Sequence, residues 1–262
     1  MIDAALKGRP VLAVFAHPDD ESLACGGTLA RLADEGMEVI VMTASHGERG
    51  GIVPTRDDAL GRIRALEMRE AAETLGISRL FIWDHPDGDM RWSHVSEFHA
   101  DLVLFMRRHK PVAVITFGQD GLYWHPDHVG VYERTTSAVR SLGAEAPSLY
   151  HTTMARDMMP QFAASARRRG WTPPKRGFWS LVPEVFGIGA ETPTVTLDVA
   201  DWVARKLTAI QCHRSQMGDD SHPFSHVDDA EARRLLGVEY FHRSSIPTTA
   251  APLLESLCTS RP

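Results

Sequence analysis

Along most of this chain, short apolar runs are each followed by a stretch in which apolar residues return at helical spacing. The runs are Val11-Leu12-Ala13-Val14-Phe15-Ala16, Val39-Ile40-Val41-Met42, Leu80-Phe81-Ile82-Trp83 and Val112-Ala113-Val114-Ile115-Thr116-Phe117. Runs of this length without alternation mark strands buried on both faces, as in a parallel sheet covered by helices. Helical spacing links Leu23, Leu29, Leu32 and Ala33, then Leu60 through Ile63, Leu66, Ala71 and Leu75. It returns at Val95, Phe98, Leu102 and Phe105, and at Val129, Tyr132, Thr136 and Val139. Gly36 and Gly76 stand where the first two helices end, and Ser148-Leu149-Tyr150-His151 reads as a fifth strand. The alternation predicts an α/β fold with a mostly parallel sheet.

Thr152 to Thr192 loses this regularity. It scatters Met158, Met159, Phe162, Trp171, Phe178, Trp179 and Phe186 around Arg167-Arg168-Arg169, and reads as an insertion, either a surface excursion with its own small hydrophobic anchor or a rim or lid for substrate. Thr194 to Asp198 alternates as a strand, and Trp202, Val203, Lys206, Leu207 and Ile210 form a helix leading to His213-Arg214-Ser215-Gln216. A polar loop from Met217 to Asp229, a short helix at Ala230 to Leu236 and a Pro-flanked tail follow. The expectation is one domain over residues 1–262, with the insertion at 152–192 and a C-terminal part from 193.

Composition narrows the function. A formal charge of -6 and a pI near 6.1 argue against a general nucleic-acid binder and favour a small-molecule partner. Cys25, Cys212 and Cys258 are three in number and far apart, without a Cys-x-x-Cys pair, which suits a reducing cytosol. No apolar run approaches the roughly 18 residues of a membrane span, and no signal-like segment opens the chain, so a cytoplasmic protein without a membrane partner is expected. Homo-oligomerisation is left open.

The chemistry sits at the ends of two apolar runs. His17-Pro18-Asp19-Asp20-Glu21 follows the first, and His125-Pro126-Asp127-His128 follows the Val112 run after a loop. Three carboxylates crowded at a strand end repel one another and lose solvation, and a cation resolves both problems. In open α/β sheets the C-terminal strand ends carry the ligands, so both clusters can meet over one sheet edge. His17, Asp20 and His128 are the expected metal ligands. Two imidazoles and one carboxylate leave a coordination position open, as a catalytic zinc requires. Asp19 is then an unliganded carboxylate placed to take a proton from water on the metal, and His125, if protonated, a stabiliser of the amide oxyanion. Glu21 supports either the metal site or the helix start.

The residues Ala16-His17-Pro18-Asp19-Asp20-Glu21 and His125-Pro126-Asp127-His128 resemble the motifs of the PIG-L/LmbE-like family of zinc-dependent N-acetylglucosaminyl deacetylases. Weaker agreement comes from Gly26-Gly27-Thr28, Gly47-Glu48, Arg64 with Glu67, Pro86-Asp87-Gly88, and Lys206 ahead of His213-Arg214-Ser215-Gln216. The resemblance implies a Rossmann-like three-layer fold and hydrolysis of an N-acyl group from an amino sugar. It also implies zinc (Zn2+) on His17, Asp20 and His128, with ferrous iron (Fe2+) as the alternative, and Asp19 as general base. His125 assists the oxyanion. Tyr123 matches a mobile tyrosine near the reacting carbonyl, although Trp124 follows it where glycine is usual. Glu48, Arg64, Asp87 and His213 are expected sugar contacts. The competing readings are a non-haem iron redox enzyme, a non-catalytic sugar-binding module and, among hydrolases, a thiol-conjugate amidase.

Overall fold

The computed structural model describes residues 2–50, 57–175, 178–217 and 222–258. Its first half runs β1 (Pro10–Phe15), α1 (Asp20–Asp34), β2 (Glu38–Thr43), α2 (Asp57–Leu75), β3 (Arg79–Ile82), α3 (Val95–His109) and β4 (Ala113–Phe117). A short turn α4 (Gly121–Trp124), α5 (Pro126–Ser141) and β5 (Ser148–Thr153) follow. The remainder holds α6 (Met158–Arg168), β6 (Val195–Asp198), α7 (Val203–Cys212), α8 (Arg214–Met217), α9 (Asp229–Leu236), β7 (Val238–Arg243) and α10 (Leu253–Cys258). Gly51, Arg176, Gly177 and residues 218–221 of the polar loop lie outside the described residues.

The strands form one seven-stranded sheet in the order β3-β2-β1-β4-β5-β7-β6, with β1 to β5 parallel and β6 and β7 antiparallel. The most apolar strands are central: β1 pairs with β2 through Val11↔Val39 and with β4 through Val11↔Ala113. Helices α1, α2 and α7 pack together through Ala30, Ala71, Leu75 and Ala209, while α3 packs on α5, giving three layers. From β1 the chain winds outward to β3 and then returns to β4 on the other side. The C-terminal ends of β1 and β4 therefore flank the topological switch point, where an open α/β sheet leaves a crevice. Among the described residues, no helix is long and apolar enough to cross a membrane.

Three elements depart from the sequence reading. The segment read as a Pro-flanked tail contains β7, which slots antiparallel between β5 and β6, and α10. In β7 the inward positions alternate Glu239 with Phe241, so a buried charge hides the strand's apolar face. The irregular insertion contains α6, which begins three residues ahead of Gln161 with Pro160 in its first turn, where a missing N–H costs nothing.

Glu239 has a structural task. Helix α1 is kinked at Cys25 (φ -151°, ψ 25°), and the Glu239 carboxylate accepts the Gly27 and Thr28 N–H groups at 2.9 and 2.8 Å. Lys206 Nζ donates to the same carboxylate at 2.6 Å, and both side chains are buried. Glu239→Ala strands an ammonium and two N–H groups in the interior, so it is expected to lower the unfolding free energy by about 3–5 kcal/mol. Urea unfolding measures the change, and a loss below about 1 kcal/mol refutes the clamp.

Candidate active site

Two strained turns present the chemistry at the switch point. After β1 the chain turns at His17 to Asp20 with Asp19 at φ 124°, a region that L residues rarely adopt and that costs on the order of 1–3 kcal/mol. The turn is held from several sides. Ser22 and Leu23 N–H donate to the Asp19 carbonyl at 3.2 and 3.1 Å, and the Arg64 guanidinium donates to the Pro18 carbonyl at 2.6 Å. Asp19 N–H itself donates to Glu21 Oε2 at 3.1 Å. After β4, Leu122 and Trp124 also take positive φ, at 68° and 64°. Pro126 opens α5, and His125 caps it, its Nδ1 accepting the Asp127 N–H at 3.2 Å.

The turns bring the polar ends of three side chains to one point. His128 Nε2 lies 3.2 Å from Asp20 Oδ1 and 3.4 Å from His17 Nδ1, and His17 Nδ1 lies 3.5 Å from Asp20 Oδ2. Ligands about 2.0–2.1 Å from a tetrahedral ion stand about 3.3–3.4 Å apart, so these spacings fit one divalent cation. The opposite ring edges are fixed. His128 Nδ1 donates to the Gly121 carbonyl at 3.1 Å, which leaves Nε2 as its lone-pair nitrogen. His17 Nε2 faces Asp127 Oδ2 and Asp87 Oδ1, each at 3.1 Å, which turns the Nδ1 lone pair toward Asp20 and His128. Electrostatics agree. Burial works against a charged His17, yet Asp127, Asp20 and Asp87 outweigh it and raise its pKa well above the usual value. Burial works against an ionised Asp20, and His128 and His17 hold its carboxyl well below the usual range all the same. The pocket is built around a positive charge. His17, His125 and Asp127 also converge, their ligand atoms within 4.8 Å of one another.

Asp19 stands outside the cradle. Its Oδ2 is 3.3 Å from Arg64, and burial lifts the carboxyl to about 6 while the Arg64 guanidinium pulls it back. His125 lies against both ligand rings, centroids 5.1 Å from His17 and 4.6 Å from His128. Burial, with those rings adding to it, pushes its pKa down to about 4, so His125 is a neutral N–H donor. The sequence reading made His125 an oxyanion stabiliser if protonated; a neutral ring whose Nδ1 accepts from the Asp127 N–H still carries a proton on Nε2. Tyr123 packs edge-on to His128 at 5.2 Å and His125 at 5.7 Å, and its other side meets Phe178 at 5.0 Å and Phe186 at 5.2 Å. Aromatic residues of the insertion thus form a wall of the site.

The four residues expected to contact a sugar are turned toward the protein. Arg64 is buried and donates to the carbonyls of Gly47 and Gly50 at 2.8 and 3.2 Å as well as to Pro18. Glu48 Oε1 accepts the Asp87 N–H at 3.2 Å, and Asp87 is buried against His17 and the Arg49 N–H. His213 is 0% exposed and faces Glu21. Asp127 went unassigned in the sequence reading. Its fully buried carboxylate accepts the Gly88 and Met90 N–H groups at 2.7 and 3.0 Å and orients His17. The only signal for it was a carboxylate inside the second histidine cluster.

A family model described as GlcNAc-PI de-N-acetylase, PIG-L, matches residues 12–139. The chain is 32% identical over 239 residues to a 1D-myo-inositol 2-acetamido-2-deoxy-alpha-D-glucopyranoside deacetylase of Actinosynnema mirum, covering 79% of this chain and 80% of that one. An N,N'-diacetylchitobiose deacetylase from Pyrococcus horikoshii is similar in structure, with TM-score 0.62 and 25% identity over 90% of this chain and 84% of that one. A 4-carboxy-2-hydroxymuconate hydratase from Pseudomonas putida gives TM-score 0.64 at 22% identity, covering 94% of this chain and 99% of that one. This last likeness is of fold alone, and the architecture hosts more than one chemistry. The side chains in the crevice have to decide the reaction.

Proposed function

The chain belongs to the PIG-L family of GlcNAc-PI de-N-acetylases, and from that premise we propose that it is a metal-dependent hydrolase of N-acetylglucosamine-containing small molecules, with His17, Asp20 and His128 holding zinc. The observation that carries this reading is the cradle of His17, Asp20 and His128, whose Nδ1, carboxylate and Nε2 groups lie 3.2 to 3.5 Å apart beside an unliganded Asp19. When bound, the cation supplies an acidified water and a Lewis acid for the amide carbonyl. Asp19 accepts the proton of the attacking water as the new C–O bond forms. His125 donates its Nε2–H to the developing oxyanion. Asp19 then returns the proton to the leaving nitrogen as the C–N bond breaks, so the products are acetate and a free amino sugar. Tyr123, with Phe178 and Phe186 behind it, closes the site against bulk water.

Arg64, Glu48 and Asp87 shape the sugar site by bracing the loops around it, and the insertion at 152–192 serves as the rim within one domain spanning residues 1–262. Cys25, Cys212 and Cys258 are free thiols, which suits the cytosol. The test is to incubate zinc-loaded protein with N-acetylglucosamine glycosides and assay free amine and acetate. The inositol glucosaminide named for the Actinosynnema mirum relative and N,N'-diacetylchitobiose lead the panel. Equal release of amine and acetate is expected. Oxygen-dependent turnover without amine, or silence on every soluble glycoside, would reject the proposal.

A further inference from the structure

We infer that His213 is a positioning residue for this hydrolysis, acting through Glu21 to hold Asp19, and that it does not touch substrate; the inference rests on the hydrolase reading above. Glu21 is 0% exposed, yet it is a carboxylate. Its two oxygens have different tasks. Oε2 accepts the N–H of Asp19, the residue at φ 124°, at 3.1 Å. Oε1 accepts the Ser22 hydroxyl at 2.6 Å and faces His213 Nε2 at 3.1 Å. A buried carboxylate stays in one orientation only if donors satisfy it. His213 supplies that donor from a segment 192 residues further along the chain.

The residues after His213 brace the same loops. Ser215 donates its N–H and hydroxyl to Glu67 at 2.8 and 2.6 Å, and Gln216 Nε2 donates to the Gly50 carbonyl at 2.7 Å. That carbonyl also accepts from Arg64, which holds Pro18 from the other side of the Asp19 turn. Arg214 alone points away, to exposed Glu70 at 2.8 Å. His213, Ser215 and Gln216 therefore tie this segment to the Asp19 turn, to helix α2 and to Gly50 respectively, and His213 is the member that reaches the turn of the base. Without it Glu21 keeps, among the described residues, only the donors of Asp19 and Ser22 on either side of it in the chain, the tether on the Asp19 N–H loses its anchor to the rest of the fold, and the strained turn loosens. A base displaced by about 1 Å costs on the order of 10²-fold in rate.

The experiment is a double-mutant cycle in the zinc-loaded, full-length enzyme. His213→Leu is expected to lower kcat about 10- to 100-fold with KM within about twofold and metal content unchanged. In the Asp19→Asn background the same substitution is expected to change kcat by less than about twofold, because the group it positions is already gone. His213→Gln, which can still offer an N–H to Glu21, is expected to recover kcat to within about threefold of wild type. A raised KM with unchanged kcat makes His213 a substrate contact, and equal losses in both backgrounds make it a general structural residue; either result overturns the inference. Should His213→Leu fail to fold, Ser22→Ala removes the other donor to Glu21 and enters the same cycle, with an expected loss of about 3- to 10-fold. Wild-type protein that releases no amine overturns the hydrolase reading, whereas active wild type with an unaffected His213→Leu overturns this inference alone.

Discussion

Asp19→Asn is expected to keep the fold and one divalent cation per chain but to lose about 10²- to 10⁴-fold in kcat, the usual cost of removing a general base. Asparagine tolerates positive φ better than most residues, so the turn at φ 124° survives the change. The Pro18 and Asp19 carbonyls keep their donors, Arg64 at 2.6 Å and the Ser22 and Leu23 N–H groups. Metal loading should also survive, since the proposed ligands are His17, Asp20 and His128. What disappears is the carboxylate beside the cradle that, among the described residues, pairs with Arg64 and lies outside the proposed ligand set. Asparagine cannot take the proton from water or deliver it to nitrogen. The check is metal analysis alongside steady-state kinetics on the best substrate of the panel. A variant within about threefold of wild-type kcat would remove Asp19 from the mechanism.

Much of the fold was legible because its central strands carry no compromise. β1 and β4 are apolar except at Thr116, whose hydroxyl donates to the Val14 carbonyl, and in the sheet they lie side by side with Val11, Leu12 and Ala13 opposite Ala113, Val114 and Ile115. Periodicity fails where tertiary structure satisfies a charge. β7 contains Glu239 at a buried position, and only the kink of α1 at Cys25 and the distant Lys206 make that carboxylate welcome. The site divides in the same way. A separation of three residues at a strand end and another at a helix start brought His17, Asp20, His125 and His128 to one crevice. Which ring nitrogen turns toward the shared point depends instead on contacts from other segments, Asp127 and Asp87 on His17 and the Gly121 carbonyl on His128. His213 shows the limit from the other side. Its place in a recognisable motif suggested a sugar contact, but only packing reveals that its ring is sealed behind Glu21.

Asp20→Ala is expected to be more damaging than Asp19→Asn, removing metal and activity together. Asp20 uses both oxygens, with Oδ1 facing His128 Nε2 at 3.2 Å and Oδ2 accepting the His17 N–H at 2.8 Å. Alanine removes the only anionic ligand and loosens the backbone of a second one. Two imidazoles alone hold a divalent ion weakly, so after dialysis the variant should carry less than about one tenth of an equivalent of zinc. Without the cation the attacking water's pKa returns from about 7 toward 15.7, far above anything a carboxylate can deprotonate, and kcat should fall by at least about 10⁴-fold. Chelation of the wild-type enzyme gives the matching control. It should cause a loss of similar size that one equivalent of zinc reverses, whereas added zinc leaves Asp20→Ala inactive. The pair of experiments also separates a catalytic ion from a structural one. Seven-stranded packing does not depend on the cradle, since the buried cluster of β1, β2 and β4 is complete without it. Chelated wild type should therefore keep its far-ultraviolet circular dichroism while losing turnover. Activity that persists through chelation, or a fully loaded Asp20→Ala, would show that the reaction runs without this cradle.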